Sequence, residues 1–286
     1  MTEYAFRILN VFAEEHLGGN PLAVFEDGSG LSAETMQALA LQFNLSETTF
    51  ITRSASASAR VRIYTPTFEM PFAGHPTLGT AHVVRSLGLG GDALTLEMKA
   101  GIVPVSAEGD RWTLEAKPPR TREVAASRAE LAAMLGLAPN DLGETPLWVD
   151  TGSEQLVIPL SSAHAVRRCA PDPALLGKYG TTTDANGTRR TMAYVWAGDG
   201  AEDVLCRFFF LKHVAVVEDP ATGSACANLG GWLVASGAAL PQTLSLKQGE
   251  AVGRRCHLRL TVDASGRIFV SGRVIELGRG VIRLQD

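Results

Sequence analysis

"PFAGHPTLGTAHVVRSLG", residues 71–88, and "PATGSACANLGGWLVASG", residues 220–237, decide how this chain is read. Pro71 and Pro220, Gly74 and Gly223, and Gly88 and Gly237 each lie 149 positions apart. Nearby, "LEMKAG" ends at Gly101 and "LSLKQG" ends at Gly249, a shift of 148. Glycine and proline punctuate local structure, so several matches at one offset within a helix-sized window imply a duplicated unit. The chain then has two similar lobes, each with a P-x-x-G turn that opens a helix.

Such openings have chemistry of their own. The first backbone N–H groups of a helix have no partner inside it and carry partial positive charge, which suits carboxylates and oxyanions. If the lobes face each other across a pseudo-twofold axis, a small anion is expected between Gly74-His75 and Gly223-Ser224. Taken singly, either motif reads first as an ordinary helix start, and it is their pairing that brings the functional reading level with it.

Working outward, strands and helices alternate. "RILNVF" and "PLAVFED" read as strands around the turn "LGGN". Ser32 caps a helix whose apolar residues Met36, Leu39, Ala40 and Phe43 follow helical spacing. "TTFIT" and "RVRIYT" are strands, and a second helix is predicted from about Thr77 to Leu87, ended by Gly88. "LTLEMKAG" and "RWTLEA" return to strand character. Pro118-Pro119 marks a boundary, giving lobes at 1–118 and 119–272, with 273–286 expected to return to the first. In the second lobe Ser127 and Glu130 form a capping box. "EQLVIPL", "TMAYVW" and "VLCRFFFL" are strands, a helix begins near Ser224, and "LSLKQG", "HLRLTV", "RIFVSGRVIEL" and "GVIRL" are strands.

Composition narrows the function. A net charge of -4, with no run of basic residues longer than a doublet such as Arg189-Arg190, argues against nucleic acid. No stretch is long and apolar enough to span a bilayer, and the start of the chain reads as a strand. The four cysteines are scattered without a C-x-x-C pair, so reduced buried thiols and a cytoplasmic setting are expected. The histidines show no metal-ligand spacing, and no Rossmann or P-loop glycine pattern occurs. Neither a metal nor a cofactor is therefore expected.

"NLSETTF" (44–50) places Glu47 at the head of a strand. That carboxylate is either a solvated strand end or a group placed to move protons. Together with "GNPLAVF" (19–25), "RIYTPTFEMPFAGHPTLGTA" (62–81) and "EDPATGSACANLGGWL" (218–233), it makes the chain closely resemble the PhzF-like, phenazine-biosynthesis family. The resemblance covers essentially the whole chain. It implies an α+β fold like that of diaminopimelate epimerase: two pseudo-symmetric lobes, each a curved, mostly antiparallel sheet around a central helix.

The resemblance further implies a cofactor-free isomerase acting on a small carboxylate held between the lobes, and a homodimer. The family's best-known substrate is a dihydro-hydroxyanthranilate. Glu47 would be the acid–base group, with His75 as relay and Asp219 as the second carboxylate. Gly74, Gly223 and Ser224 would bind the substrate, and Asn20 and Ser46 would border it. In epimerase relatives a cysteine precedes the helix-opening glycine of each lobe. Here those positions are Ala73 and Thr222, so two-thiol epimerisation is disfavoured. A protein that keeps the cleft but only binds carboxylates is the alternative from another functional class.

Overall fold

The computed structural model describes residues 1–183 and 187–285. Two compact units result: Met1–Glu115 with Ser271–Asp286, and Ala116–Val270. Asp286 lies outside the described residues.

The first unit runs β1 (Thr2–Val11), β2 (Asn20–Phe25), α1 (Ala33–Phe43), β3 (Glu47–Thr52), β4 (Ala59–Tyr64), a short β5 (Glu69–Met70), α2 (Gly74–Ser86), β6 (Ala93–Met98), β7 (Gly101–Glu108) and β8 (Arg111–Glu115). The second runs β9 (Arg120–Glu123), α3 (Arg128–Met134), β10 (Leu147–Asp150), β11 (Glu154–Pro159), α4 (Ala163–Arg168), α5 (Pro173–Tyr179), β12 (Thr181–Thr183), β13 (Arg189–Gly198), β14 (Asp203–Lys212), β15 (Ala215–Asp219), α6 (Gly223–Ala235), β16 (Gln242–Gln248) and β17 (Cys256–Val262). The last strand, β18 (Ile268–Leu284), pairs with β1 and β8 of the first unit.

Strand pairing repeats between the units. In the first, the antiparallel pairs β1/β2, β3/β4 and β6/β7 are joined by the parallel contacts β2/β3 and β4/β6. In the second, the antiparallel pairs β10/β11, β13/β14 and β16/β17 are joined by the parallel contacts β11/β13 and β14/β16. The central helices α2 and α6 have 13 residues each, and both their ends keep the offset of 149. Each also stops alike, at a left-handed glycine, Gly88 (φ 73°) or Gly237 (φ 74°).

Both central helices are almost wholly buried, as a helix ringed by sheet must be. Small residues make this possible. A Cβ on Gly79 would come within 2.5 Å of Leu22 Cδ2, and one on Gly230 within 2.7 Å of Ile268 Cγ2. In the first unit the strand circuit closes through β18, which joins β8 to β1. Outside it, α1 packs Met36, Leu39 and Ala40 onto Phe25 and Phe50, whose rings stack at 4.7 Å. Full burial of each such side chain contributes roughly 2–3 kcal/mol. In the second unit α3, α4 and α5 supply the outer layer through Leu131, Met134, Val166 and Leu176.

Two expectations about elements are corrected. The helix predicted from about Thr77 begins at Gly74, because Pro76 falls in its first turn, where its missing N–H would have no helical partner anyway. "RIFVSGRVIEL" and "GVIRL" form one continuous strand rather than two. A bulge between Ile8 and Leu9 in the β1 pairing absorbs the irregularity at Leu277-Gly278.

Candidate functional site

In the first unit, parallel pairing sets Leu22 of β2 beside Glu47, the first residue of β3. The same end of the sheet meets the opening of α2. His75 is 5 % exposed there, and its Nε2 lies 3.3 Å from Glu47 Oε2, on a side chain that is 15 % exposed. Glu47 is thus not a solvated strand end. Asn20, at the start of β2, is fully buried, and Ser46, just before β3, is half-buried.

His75 has a defined tautomer. The ring hydrogen-bonds the backbone of Pro21, which has no N–H, so the carbonyl accepts. Nε2 makes no aligned hydrogen bond among the described residues, leaving Nδ1 as the donor. A neutral ring of that tautomer presents the Nε2 lone pair to Glu47. Burial pushes the imidazole down to about 3, with the Pro21 bond opposing, so the ring stays neutral at ordinary pH. The arrangement can pass one proton between Glu47 and Nε2.

The N-cap of α2, Ala73, makes no side-chain cap bond. The third residue is Pro76, so the N–H groups left at this opening are those of Gly74 and His75. Glu69, the acid of the same sequence motif, has a structural task. Arg62 grips it at 2.8 Å through two bonds and Lys99 at 2.6 Å, and these cations hold its carboxyl at about 2.

In the second unit, Asp219 ends β15 and Gly223 opens α6. Thr222 donates its hydroxyl to Asp219 Oδ2. Buried Gln248 sets this polarity: its Nε2 donates to the Asp219 carbonyl at 2.9 Å and to Thr222 Oγ1 at 3.1 Å. Thr222 therefore holds a carboxylate and cannot serve as a base. Ala73, its counterpart in the first unit, has no ionisable group. Cys226 is fully buried inside α6 and burial drives its thiol well above the usual range, while Cys206 is pushed to about 12.

Ser224, the second residue of α6, is half-buried, and its Oγ accepts a 2.9 Å bond from Gln155 Nε2. Gln155 in turn bonds Asn228. Gln155, Asn228 and Gln248 were not among the residues singled out in the sequence. Each lies in a quoted stretch, "EQLVIPL", "EDPATGSACANLGGWL" or "LSLKQG", where for Gln155 and Asn228 a polar residue beside a leucine was the available signal. Among the described residues no group of His, Cys, Asp or Glu could hold a metal ion, and no helix is long and apolar enough to cross a membrane.

The two units are not equivalent at their openings. The helix offset matches His75 with Ser224. The strands β2 and β11 have six residues each and pair parallel at their third, Leu22 with Glu47 and Leu156 with Ala193. Glu47 is thereby matched by a buried alanine, and Pro21, which bonds His75, by Gln155, which bonds Ser224.

Comparison with known proteins matches residues 9–280 to the family described as phenazine biosynthesis-like protein. An uncharacterized isomerase of Pasteurella multocida is 38% identical over 283 residues, covering 98% of this chain and 94% of its own. The trans-2,3-dihydro-3-hydroxyanthranilate isomerase of Pseudomonas aeruginosa is 34% identical, covering 97% of this chain and 98% of its own. Among solved structures, a PhzF-family phenazine biosynthesis protein of Bacillus anthracis superposes with TM-score 0.85 at 24% identity, over 99% of this chain and all of that one.

Proposed function

The chain belongs to the phenazine biosynthesis-like, PhzF, family, and from that footing we propose that it is a cofactor-free isomerase that moves a proton on a small cyclic or amino-acid-like carboxylate. Glu47 removes the proton from carbon and returns it elsewhere on the substrate. His75 takes part as a neutral relay, and Asp219 supplies a second, ionised carboxylate. Gly74, Gly223 and Ser224 bind the substrate's acid group, and Asn20 and Ser46 border it. We propose that the protein acts as a homodimer.

The observation that carries it is the Glu47–His75 contact at the opening of a buried helix. A carboxylate in water is a weak base toward carbon. Poor hydration makes it stronger, and a neutral imidazole beside it can accept or return the proton. The 34% identical relative named for trans-2,3-dihydro-3-hydroxyanthranilate makes that compound the first to test.

The test is turnover, and deuterium incorporation from solvent, with trans-2,3-dihydro-3-hydroxyanthranilate and related cyclic acids. Glu47→Gln is expected to slow both by about a thousandfold or more while the dissociation constant changes only a few-fold. Activity within a few-fold of wild type would remove Glu47 from the chemistry. Tight binding without exchange in the wild type would make the protein a binder.

A further inference from the structure

A buried relay behind α6 gives Ser224 a fixed polarity. Asn228 is fully buried, and backbone groups settle its amide orientation. Its Oδ1 accepts from the Thr151 N–H at 2.9 Å and from Thr151 Oγ1 at 2.7 Å, while its Nδ2 donates to the Ser153 carbonyl at 2.9 Å. An N–H can only donate and a carbonyl can only accept, so the flipped amide would break both backbone bonds. Asn228 Nδ2 therefore also faces Gln155 Oε1, at 2.8 Å. Gln155, 2 % exposed, must then turn its Nε2 to Ser224, at 2.9 Å. Ser224 Oγ is an acceptor on its inner side. Its own proton has no acceptor among the described residues, and the residue is only half-buried.

On the reading given under Proposed function, we infer that Gln155, held by Asn228, is a positioning residue that makes Ser224 a hydrogen-bond donor to the substrate's carboxylate. Several observations converge on this. The helix has no side-chain cap competing for the Gly223 and Ser224 N–H groups. All three groups then donate and none accepts, so the receptor favours a carboxylate or enolate oxygen and disfavours an ammonium group. The relay is also peculiar to this unit. Asn228 stands where the duplicated unit has Gly79, and Gln155 stands where it has Pro21. The first unit cannot build the same chain of amides.

The test is calorimetric titration of acetate, benzoate and 3-hydroxyanthranilate into wild type, Ser224→Ala, Gln155→Met and the double variant. Ser224→Ala should weaken the tightest-binding acid about tenfold or more, the loss of a hydrogen bond to a charged group. Gln155→Met should weaken it several-fold when Ser224 is present and by less than twofold in the Ser224→Ala background. A purely structural role would instead give the same factor in both backgrounds, and that result overturns the inference. So does the absence of saturable binding of all three acids to wild type. If Gln155→Met does not fold, Gln155→Glu replaces it. The carboxylate keeps the Asn228 bond but draws the Ser224 proton inward, so affinity should fall at least tenfold, and unchanged affinity refutes the role. Coupling without Glu47-dependent exchange would leave this receptor standing and remove the catalytic reading. Exchange without coupling would do the reverse.

Discussion

Replacing His75 by asparagine should change how stability depends on pH, in a direction the structure specifies. The imidazole titrates near 6.5 in an unfolded chain and is pushed by burial to about 3 in the folded one. Between those values the unfolded state binds one more proton than the folded state, so stability rises with pH, by up to about 1.4 kcal/mol per unit. Lowering the pH from neutrality to 5 should therefore remove about 2 kcal/mol from the wild type through this one residue, with about 5 kcal/mol as the limit near pH 3. The asparagine amide would keep an N–H able to reach the Pro21 carbonyl but would not titrate. The smaller side chain leaves space, at a cost of about 1 kcal/mol that does not vary with pH. The two stability curves should cross. At pH 7.5 wild type is the more stable, and near pH 5 His75→Asn is. Urea unfolding at fixed ionic strength over pH 4.5–8 measures this directly. Carboxylates held low by ion pairs, such as Glu69 at about 2, are common to both proteins and cancel in the difference. Parallel curves would mean that His75 takes up its proton as readily in the folded state as in the unfolded one, and the ring held neutral by burial would be lost as an explanation.

Two further substitutions test the frame that holds the site. Gly79→Ala adds a methyl 2.5 Å from Leu22 Cδ2 and 2.9 Å from Val11 Cγ2, and this crowding should outweigh the helix-propensity gain of about 1 kcal/mol, for a net loss of about 1–2 kcal/mol by thermal unfolding. A stabilised variant would show that the α2 packing has slack. Arg7 is 2 % exposed and bonds Glu26 at 2.6 Å, Ser86 at 2.6 Å and Glu276 at 3.0 Å. Arg7→Met takes from partly buried Glu26 the cation bonded to it, although Glu276 keeps Arg279 at 2.5 Å, and should cost about 3 kcal/mol in denaturant titration, while a change under about 0.5 kcal/mol would contradict that reading.

What was legible in the sequence had local causes. Ser32 accepts from the Thr35 N–H, and Ser127 with Glu130 forms a reciprocal cap, because such motifs need only neighbouring backbone. The 149-residue echo was legible because Gly74 and Gly223 open matching helices and Gly88 and Gly237 end them in the left-handed conformation. What escaped was non-local. Strand β7 contains Pro104, which lowers its strand character, yet both of its neighbours pair with it. The short helices α4 and α5 are amphipathic over too few turns to show a period. Gln155 meets Asn228 only when β11 and α6 are brought together, and Gln248 meets Asp219 and Thr222 only when β16 reaches the end of β15, and no spacing within one strand or helix records that.

The asymmetry of the duplicated unit bears on the kind of reaction. Inverting a carbon centre by proton transfer calls for two bases, one to remove the proton and one to return it from the opposite face. A fold built by duplication could supply them at matching positions, but this chain does not. Glu47 is matched by Ala193 and His75 by Ser224, and Thr222, next to its helix-opening glycine, is engaged as a donor to Asp219. At its helix opening the first unit sets a carboxyl group against an imidazole, and the second sets the Asp219 carboxyl against the Thr222 hydroxyl that donates to it. One proton-active pair favours removal and return by the same groups at different atoms of a conjugated acid, which is an isomerisation. Substrate recovered after partial turnover in D2O distinguishes the two. Isomerisation by one pair should return some of the abstracted hydrogen to product and leave the recovered substrate unracemised, whereas racemised substrate carrying solvent deuterium would show that a second base operates.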